Sequence, residues 1–243
     1  MKKVKKNVFV KNIKLGKTLD YLATKKKILF LTTSNRWIEN GEKPKSTQLA
    51  EKIATVIGRE RVVVLDVSSL KIYHCEGNIS TSKGNNCGIK QVTLQDKEKN
   101  PSGMHRCWAS INNSDDELWK VSKALFESDC VVFFGSVRWG QMNAYYQKLI
   151  ERLSWIENRH STLGEDNIVQ KIDAGIIIVG QNWYGKGVLA TQKKVLQFYG
   201  FHVIDSLCWN WQFTHDEKDE SKSSYTAASQ KFELDVLSKI VKK

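Results

Sequence analysis

Short apolar runs recur along this chain, and after most of them apolar residues return every three or four positions. The first run is ILFLTT, residues 28–33. The others are Val62–Val67, Cys130–Gly135, Ala174–Gly180 and Val203–Trp209. Runs this short, apolar throughout rather than alternating, predict strands buried on both faces of a sheet. Between them, Leu49, Ile53, Val56 and Ile57 mark a helix with Ser46 as its N-cap. Leu118, Val121, Leu125 and Phe126 mark a second, behind the start signal Ser114-Asp115-Asp116-Glu117. A third spans Met142–Ile156 with Tyr145, Leu149, Ile150 and Leu153 on one side, and a fourth lies near Val188–Tyr199, ended by Gly200. Ser224–Val241 has the pattern of a final amphipathic helix.

Five strands separated by helices predict an α/β fold, a parallel sheet covered on both faces by helices. The expected architecture is the flavodoxin-like three-layer sandwich with strand order 2-1-3-4-5. That order puts a ligand crevice beyond the carboxyl ends of the first and third strands. Residues 68–114 break the rhythm. They are polar, irregular and hold three cysteines and two histidines. A segment this long and irregular is usually functional or an insertion. Because it leaves the second strand on the ligand rim, we expect residues 74–113 to fold over the crevice as a cap, with Trp108 available for stacking.

Both crevice strands run into loops with chemistry in them. The first, TSNRWIENGEKPKSTQLA, joins a strand to a helix, where free backbone N–H groups favour an anion. Ser34, Ser46 and Thr47 add hydroxyls and Arg36 a charged fork. The same residues also suit a capped helix behind a polar loop. Neither a Walker loop nor a G-x-G-x-x-G fingerprint is present. The second loop, GSVRWGQM, sets Trp139 beside Gly140, an aromatic face next to backbone that a ligand can approach closely. No Ser/His/Asp or Cys/His motif signals nucleophilic catalysis, and no catalytic side chain is assigned.

Together the loops resemble the NADPH-dependent FMN reductase family, especially its iron–sulfur-flavoprotein-like branch. Thr33-Ser34-Asn35-Arg36 and Ser46-Thr47 match that family's Gly-Ser-Pro-Arg and Asn/Ser-Thr signals, and Gly135-Ser136-Val137-Arg138-Trp139-Gly140-Gln141-Met142 matches its second loop. The segment ASINNSDDELWKVSKALFESDCVVFFGS is similar to its Asp-Asp-Met helix and following strand, and the likeness spans residues 27–210. The resemblance implies an FMN-dependent oxidoreductase that takes hydride from NADPH or NADH and passes electrons to a small acceptor such as a quinone, nitro compound or flavin. It implies an FMN phosphate held by Ser34, Arg36, Ser46, Thr47 and the backbone up to Gln48. It places Ser136, Val137, Arg138, Trp139 and Gly140 beside the ring, with Gln181, Asn182, Trp183 and Gly185 closing the other edge. Thr33, Asn35, Ser136 and Arg138 stand where the family has Gly, Pro, Pro and Tyr. An Arg138 near the ring would favour its anionic reduced form.

Charge and cysteines modify this picture little. The formal net charge is +12, but residues 1–27 supply +9 of it through ten lysines against Asp20. We therefore expect a domain over 27–243 behind a solvated basic extension, residues 1–26, and no basic nucleic-acid groove. An arm packing on a partner subunit and a nucleic-acid or lipid contact remain open for it. No apolar run is long enough for a membrane span or signal peptide. That absence and the odd count of five cysteines lead us to expect a cytoplasmic protein. A small-molecule acceptor and further copies of the chain, as dimer or tetramer, are the expected partners. Cys75, Cys87 and Cys107 are spaced irregularly for an iron–sulfur or zinc site and are expected as unligated thiols, with no metal. A flavodoxin-type electron carrier and a nucleic-acid- or partner-binding protein using the basic arm are the rival readings.

Overall fold

The structure is a computed structural model and describes residues 12–36 and 41–240. Its centre is a parallel sheet of β1 (Ile28–Thr32), β2 (Val62–Asp66), β3 (Cys130–Arg138), β5 (Asp173–Gly180) and β6 (His202–Gln212) in the order β2-β1-β3-β5-β6. A two-residue strand, β4 (Gln141–Met142), pairs antiparallel with the end of β3. The five parallel strands stand in the expected flavodoxin-like order.

Side chains alternate across each strand and so build two cores. Leu29, Leu31, Val131, Phe133, Ile176 and Ile178 face one way. They meet α4 (Leu118–Phe126), α5 (Ala144–Ser161) and α6 (Gly185–Phe198). Ile28, Phe30, Val132, Phe134, Ile177 and Val179 face the other way. They meet α1 (Ile13–Leu22), α2 (Lys45–Ile57) and α7 (Lys222–Asp235). Every residue of β1 is buried, which is why its sequence shows an unbroken apolar run.

Three sequence expectations change. First, residues 12–26 are not a solvated arm. Leu15, Leu19 and Leu22 recur at helical spacing and are buried in the second core. Thr18 Oγ1 donates to Ser206 O at 2.7 Å and accepts from Trp209 Nε1 at 2.9 Å. Lysines on the other face of α1 hide this stripe in a reading by charge. Removing residues 1–26 would strip three leucines from the core. Residues 1–11 lie outside the described residues. Second, α2 is preceded by Pro44 rather than capped by Ser46, and no side chain among the described residues caps it. Third, the last helix stops at Asp235.

The irregular segment is fastened to α4 and α5. Here α3 (Trp108–Asn112) forms its one α-helix among the described residues. Arg152 and Asp116, both almost fully buried, form a bidentate pair at 2.8 and 2.9 Å. Arg152 also donates to Tyr73 O and Ser110 Oγ. Burial pushes the Asp116 carboxyl up, but Arg152 outweighs it and holds the pKa below its ordinary value. Arg106 and Arg159 converge on Glu165, and Trp108 Nε1 donates to Asn86 O at 2.8 Å.

Candidate functional site

A cavity of about 660 Å3 opens at the carboxyl ends of β1, β3 and β5, where an open parallel sheet presents its ligand crevice. Its position follows from the sequence locally. Apolar strands end at Thr32, Arg138 and Gly180, and polar loops take over at the same edge.

One end of the cavity gathers hydroxyls, a helix start and cations. Ser46 Oγ donates to Ser34 Oγ at 2.9 Å, and Ser34 Oγ donates to Ser136 Oγ at 3.1 Å. This hydroxyl chain joins the first turn of α2 to the ends of β1 and β3. Thr47 is buried, and its Oγ1 finds no hydrogen-bond partner among the described residues. A buried hydroxyl without a partner is costly unless something else fills the role. The uncapped α2 start adds free backbone donors and a partial positive charge. Arg36, paired with Glu42 at 2.8 Å, and Lys45 stand beside it. Burial, and then Arg36, lower the Lys45 pKa, with Glu42 opposing.

The other end is aromatic and acidic. Arg138 and Gln141 pair across a tight turn made by Trp139 (φ 50) and Gly140 (φ 70). A positive φ is unusual for a bulky residue, and Trp139 is also 90% exposed. Gly140 takes its left-handed conformation beside the Trp183 ring, where a Cβ would meet only ordinary contacts at 3.5 Å, so the turn rather than space favours glycine. Tyr184, next to Trp183, is the other non-glycine residue with positive φ among the described residues. The far wall comes from the segment between β6 and α7. Asn182 Nδ2 donates to Glu220 Oε1 at 2.7 Å, and the Tyr225 hydroxyl donates to Glu220 Oε2. Those hydrogen bonds hold the Glu220 carboxyl low, and the bond to Glu220 raises the Tyr225 phenol.

Of the residues singled out by sequence, Ser34, Arg36, Ser46, Ser136, Val137, Arg138, Trp139, Gly140, Gln181, Asn182 and Trp183 line this cavity. Thr47 is buried in the same helical turn as Ser46. Two do not line it. Gln48 faces a second cavity and donates to Lys43 O at 2.7 Å, because it points away around α2. Gly185 begins α6, and its N–H donates to Gln212 Oε1. The expected cap is corrected as well: none of residues 68–114 lines the cavity, since Arg152 of α5 holds Tyr73 and Ser110, Glu165 holds Arg106, and Ser122 of α4 holds His105. Sequence reasoning missed Lys45, Trp211, Glu217, Glu220 and Tyr225. Lys45 had a signal, as a cation at a helix start where acids are usual. Glu217 and Glu220 come from a segment without periodicity, whereas Trp211 lies at the end of β6 and Tyr225 in the first turn of α7. All five cysteines are free thiols, and no group of three or more His, Cys, Asp or Glu among the described residues is arranged to hold a metal.

No protein-family model matches the chain, and no curated protein matches it in sequence. Solved structures do match. RosB, crystallised with the bound intermediate 8-demethyl-8-formylriboflavin-5'-phosphate, is similar with a TM-score of 0.55 at 15% identity, over 87% of this chain and 76% of RosB. An FMN-dependent NADH-azoreductase from Bacillus anthracis in complex with FMN is similar at 0.49 and 8% identity, over 88% and 100% of the two chains. A putative quinone reductase from Klebsiella pneumoniae is similar at 0.47 and 16% identity, over 87% and 85%. At these identities the RosB likeness establishes the fold, which is flavodoxin-like. No helix among the described residues is long and apolar enough to cross a membrane.

Proposed function

We propose that this protein is an FMN-dependent NAD(P)H oxidoreductase whose flavin occupies the cavity at the strand ends. The observation that carries the reading is the division of that cavity. One end offers serine hydroxyls, a helix start and cations, and the other offers exposed aromatic rings on strained turns. FMN has the same two ends, a phosphate and a planar ring. The volume also falls within the range of about 300–1,000 Å3 typical of small-molecule sites.

Residue roles follow from placement. Arg36, Lys45, Ser34, Ser46, Thr47 and the first N–H groups of α2 hold the phosphate. Val137, Arg138, Trp139 and Gly140 border one side of the ring, and Gln181, Asn182 and Trp183 the other. The flavin supplies the redox chemistry when bound, accepting hydride from a nicotinamide and passing electrons to a small acceptor. The chain would position the reactants. Arg138 adds a positive charge on the ring side. RosB, which shares this fold and was crystallised with a flavin phosphate, supports the reading.

A second reading has one observation in its favour. In RosB the flavin phosphate is itself an intermediate of the reaction, and Trp139 here leaves the ring end open to solvent. The flavin would then be substrate rather than resident cofactor. Steady-state NAD(P)H oxidation with quinone, nitro and flavin acceptors, with the flavin recovered and weighed afterwards, tests both. Acceptor-dependent oxidation with FMN recovered unchanged is the expected result. An altered flavin mass would establish the second reading. Bound FMN with no NAD(P)H oxidation would leave an electron carrier.

A further inference from the structure

Lys45 is out of place electrostatically. It opens α2, where the helix already carries a partial positive charge and acids are favoured. Its side chain is half-buried, on the wall shared by the main cavity and a neighbouring one of about 540 Å3. Arg36 and Lys43, the nearby cations, are paired with Glu42 and Glu51. Lys45 has no hydrogen bond or ion pair with any described residue, and the charge it feels most is the like charge of Arg36. A half-buried cation without a counter-ion costs stability and is retained where a ligand completes it.

The count of charges says which ligand. Glu42 offsets Arg36, so Lys45 and the helix start together leave a surplus of about one and a half positive charges. A phosphate monoester carries about −1.5 to −2 at neutral pH. A phosphate within a pyrophosphate carries one charge, and a sugar hydroxyl none. We infer that Lys45 is a specificity-determining residue that makes the cavity select a phosphate monoester dianion, so that FMN is held in preference to riboflavin. This rests on the FMN reading above and adds a selectivity to it. Ser34, Ser46 and Thr47 can hydrogen-bond any of these ligands' oxygens, but only a second cation distinguishes a dianion from a monoanion or a neutral alcohol.

The test is calorimetric titration of the full chain and of its Lys45→Met and Lys45→Arg variants with FMN, riboflavin and phenyl phosphate. In the unaltered chain FMN should bind at least about tenfold more tightly than riboflavin. Lys45→Met should lower FMN affinity by about tenfold or more and leave riboflavin within about twofold, and Lys45→Arg should recover most of the loss. Parallel loss of FMN and riboflavin binding in Lys45→Met, or no loss of either, would overturn the assignment. Phenyl phosphate separates the two claims. If the unaltered chain binds it in a Lys45-dependent way but binds no flavin, the FMN reading fails and the role of Lys45 stands. If neither ligand binds, both fall.

Discussion

Two irregular regions of this molecule stand out, the loop from β1 into α2 and the long segment 68–114, and they treat their polar groups in opposite ways. Around the long segment the buried charges are paired: Arg152 with Asp116, which together hold Tyr73 and Ser110, and Arg106 and Arg159 with Glu165. In the short loop a buried hydroxyl, a helix start and an ammonium have no partners among the described residues. Length and irregularity suggested function in the first region. The accounting of hydrogen bonds points to the second. A polar network that closes on itself is architecture, whereas one left open at a cavity is waiting for a ligand.

The largest effect should come from breaking the closed network. Asp116→Ala leaves Arg152 buried without its carboxylate and should cost about 3–5 kcal/mol of stability. Chemical denaturation would measure it. Ligand affinity at temperatures where the variant is folded should be unchanged, because neither residue lines the cavity. A loss of FMN affinity there would join the two regions and break the comparison.

Acid should also act on the long segment. Burial lowers the His105 pKa from 6.5 to about 4, with Asp116 opposing and Arg152 reinforcing. The unfolded chain therefore takes up a proton between these values that the folded chain refuses. The stability from the neutral imidazole is complete above about pH 6.5 and is lost as the pH falls toward 4, at most about 3 kcal/mol. Asp116, whose folded pKa is depressed, adds loss of the same sign at lower pH. Denaturation midpoints measured from pH 7 to pH 4 should fall more steeply than in a His105→Gln variant. Equal slopes would remove His105 from the account.

The open network should respond in binding instead. Arg36→Ala should weaken FMN by about 1.5–3 kcal/mol, the worth of a hydrogen bond to a charged group, with stability nearly unchanged. Fluorescence titration beside a melting curve separates the two quantities. The smallest effect is expected at the aromatic turn. Trp139→Asn replaces a strained tryptophan by a residue that accepts the left-handed conformation, and should stabilise the fold by about 1 kcal/mol while weakening FMN. Greater stability with undiminished affinity would make Trp139 a surface residue only.

How much of this was legible in the chain follows from burial. The five parallel strands read directly because both faces of the sheet are covered, leaving apolar runs such as Ile28–Thr32. Strand β4 did not, since Trp139-Gly140 lacks the Asn-Gly or Asp-Gly signal of a two-residue turn. Helix α1 was hidden by lysines around Leu15, Leu19 and Leu22. In the site, residues in the two strand-end loops were found from local pattern, because topology brings those ends together. Glu217, Glu220 and Tyr225 arrive from the far end of the chain through contacts such as Asn182 with Glu220, which no local spacing encodes. The cap failed as an expectation because position on the rim says where a segment starts. Arg152 and Glu165 decide where it goes.

The central claim is that the cavity at the strand ends retains FMN, and the most direct measurement is the visible absorption spectrum of the protein after incubation with FMN and removal of unbound flavin. The account predicts flavin bands in near-stoichiometric amount, largely lost when Arg36 and Thr47 are replaced together by Ala and Val in a chain that remains folded. A colourless unaltered protein, or a flavin signal that the double replacement leaves intact, would contradict it.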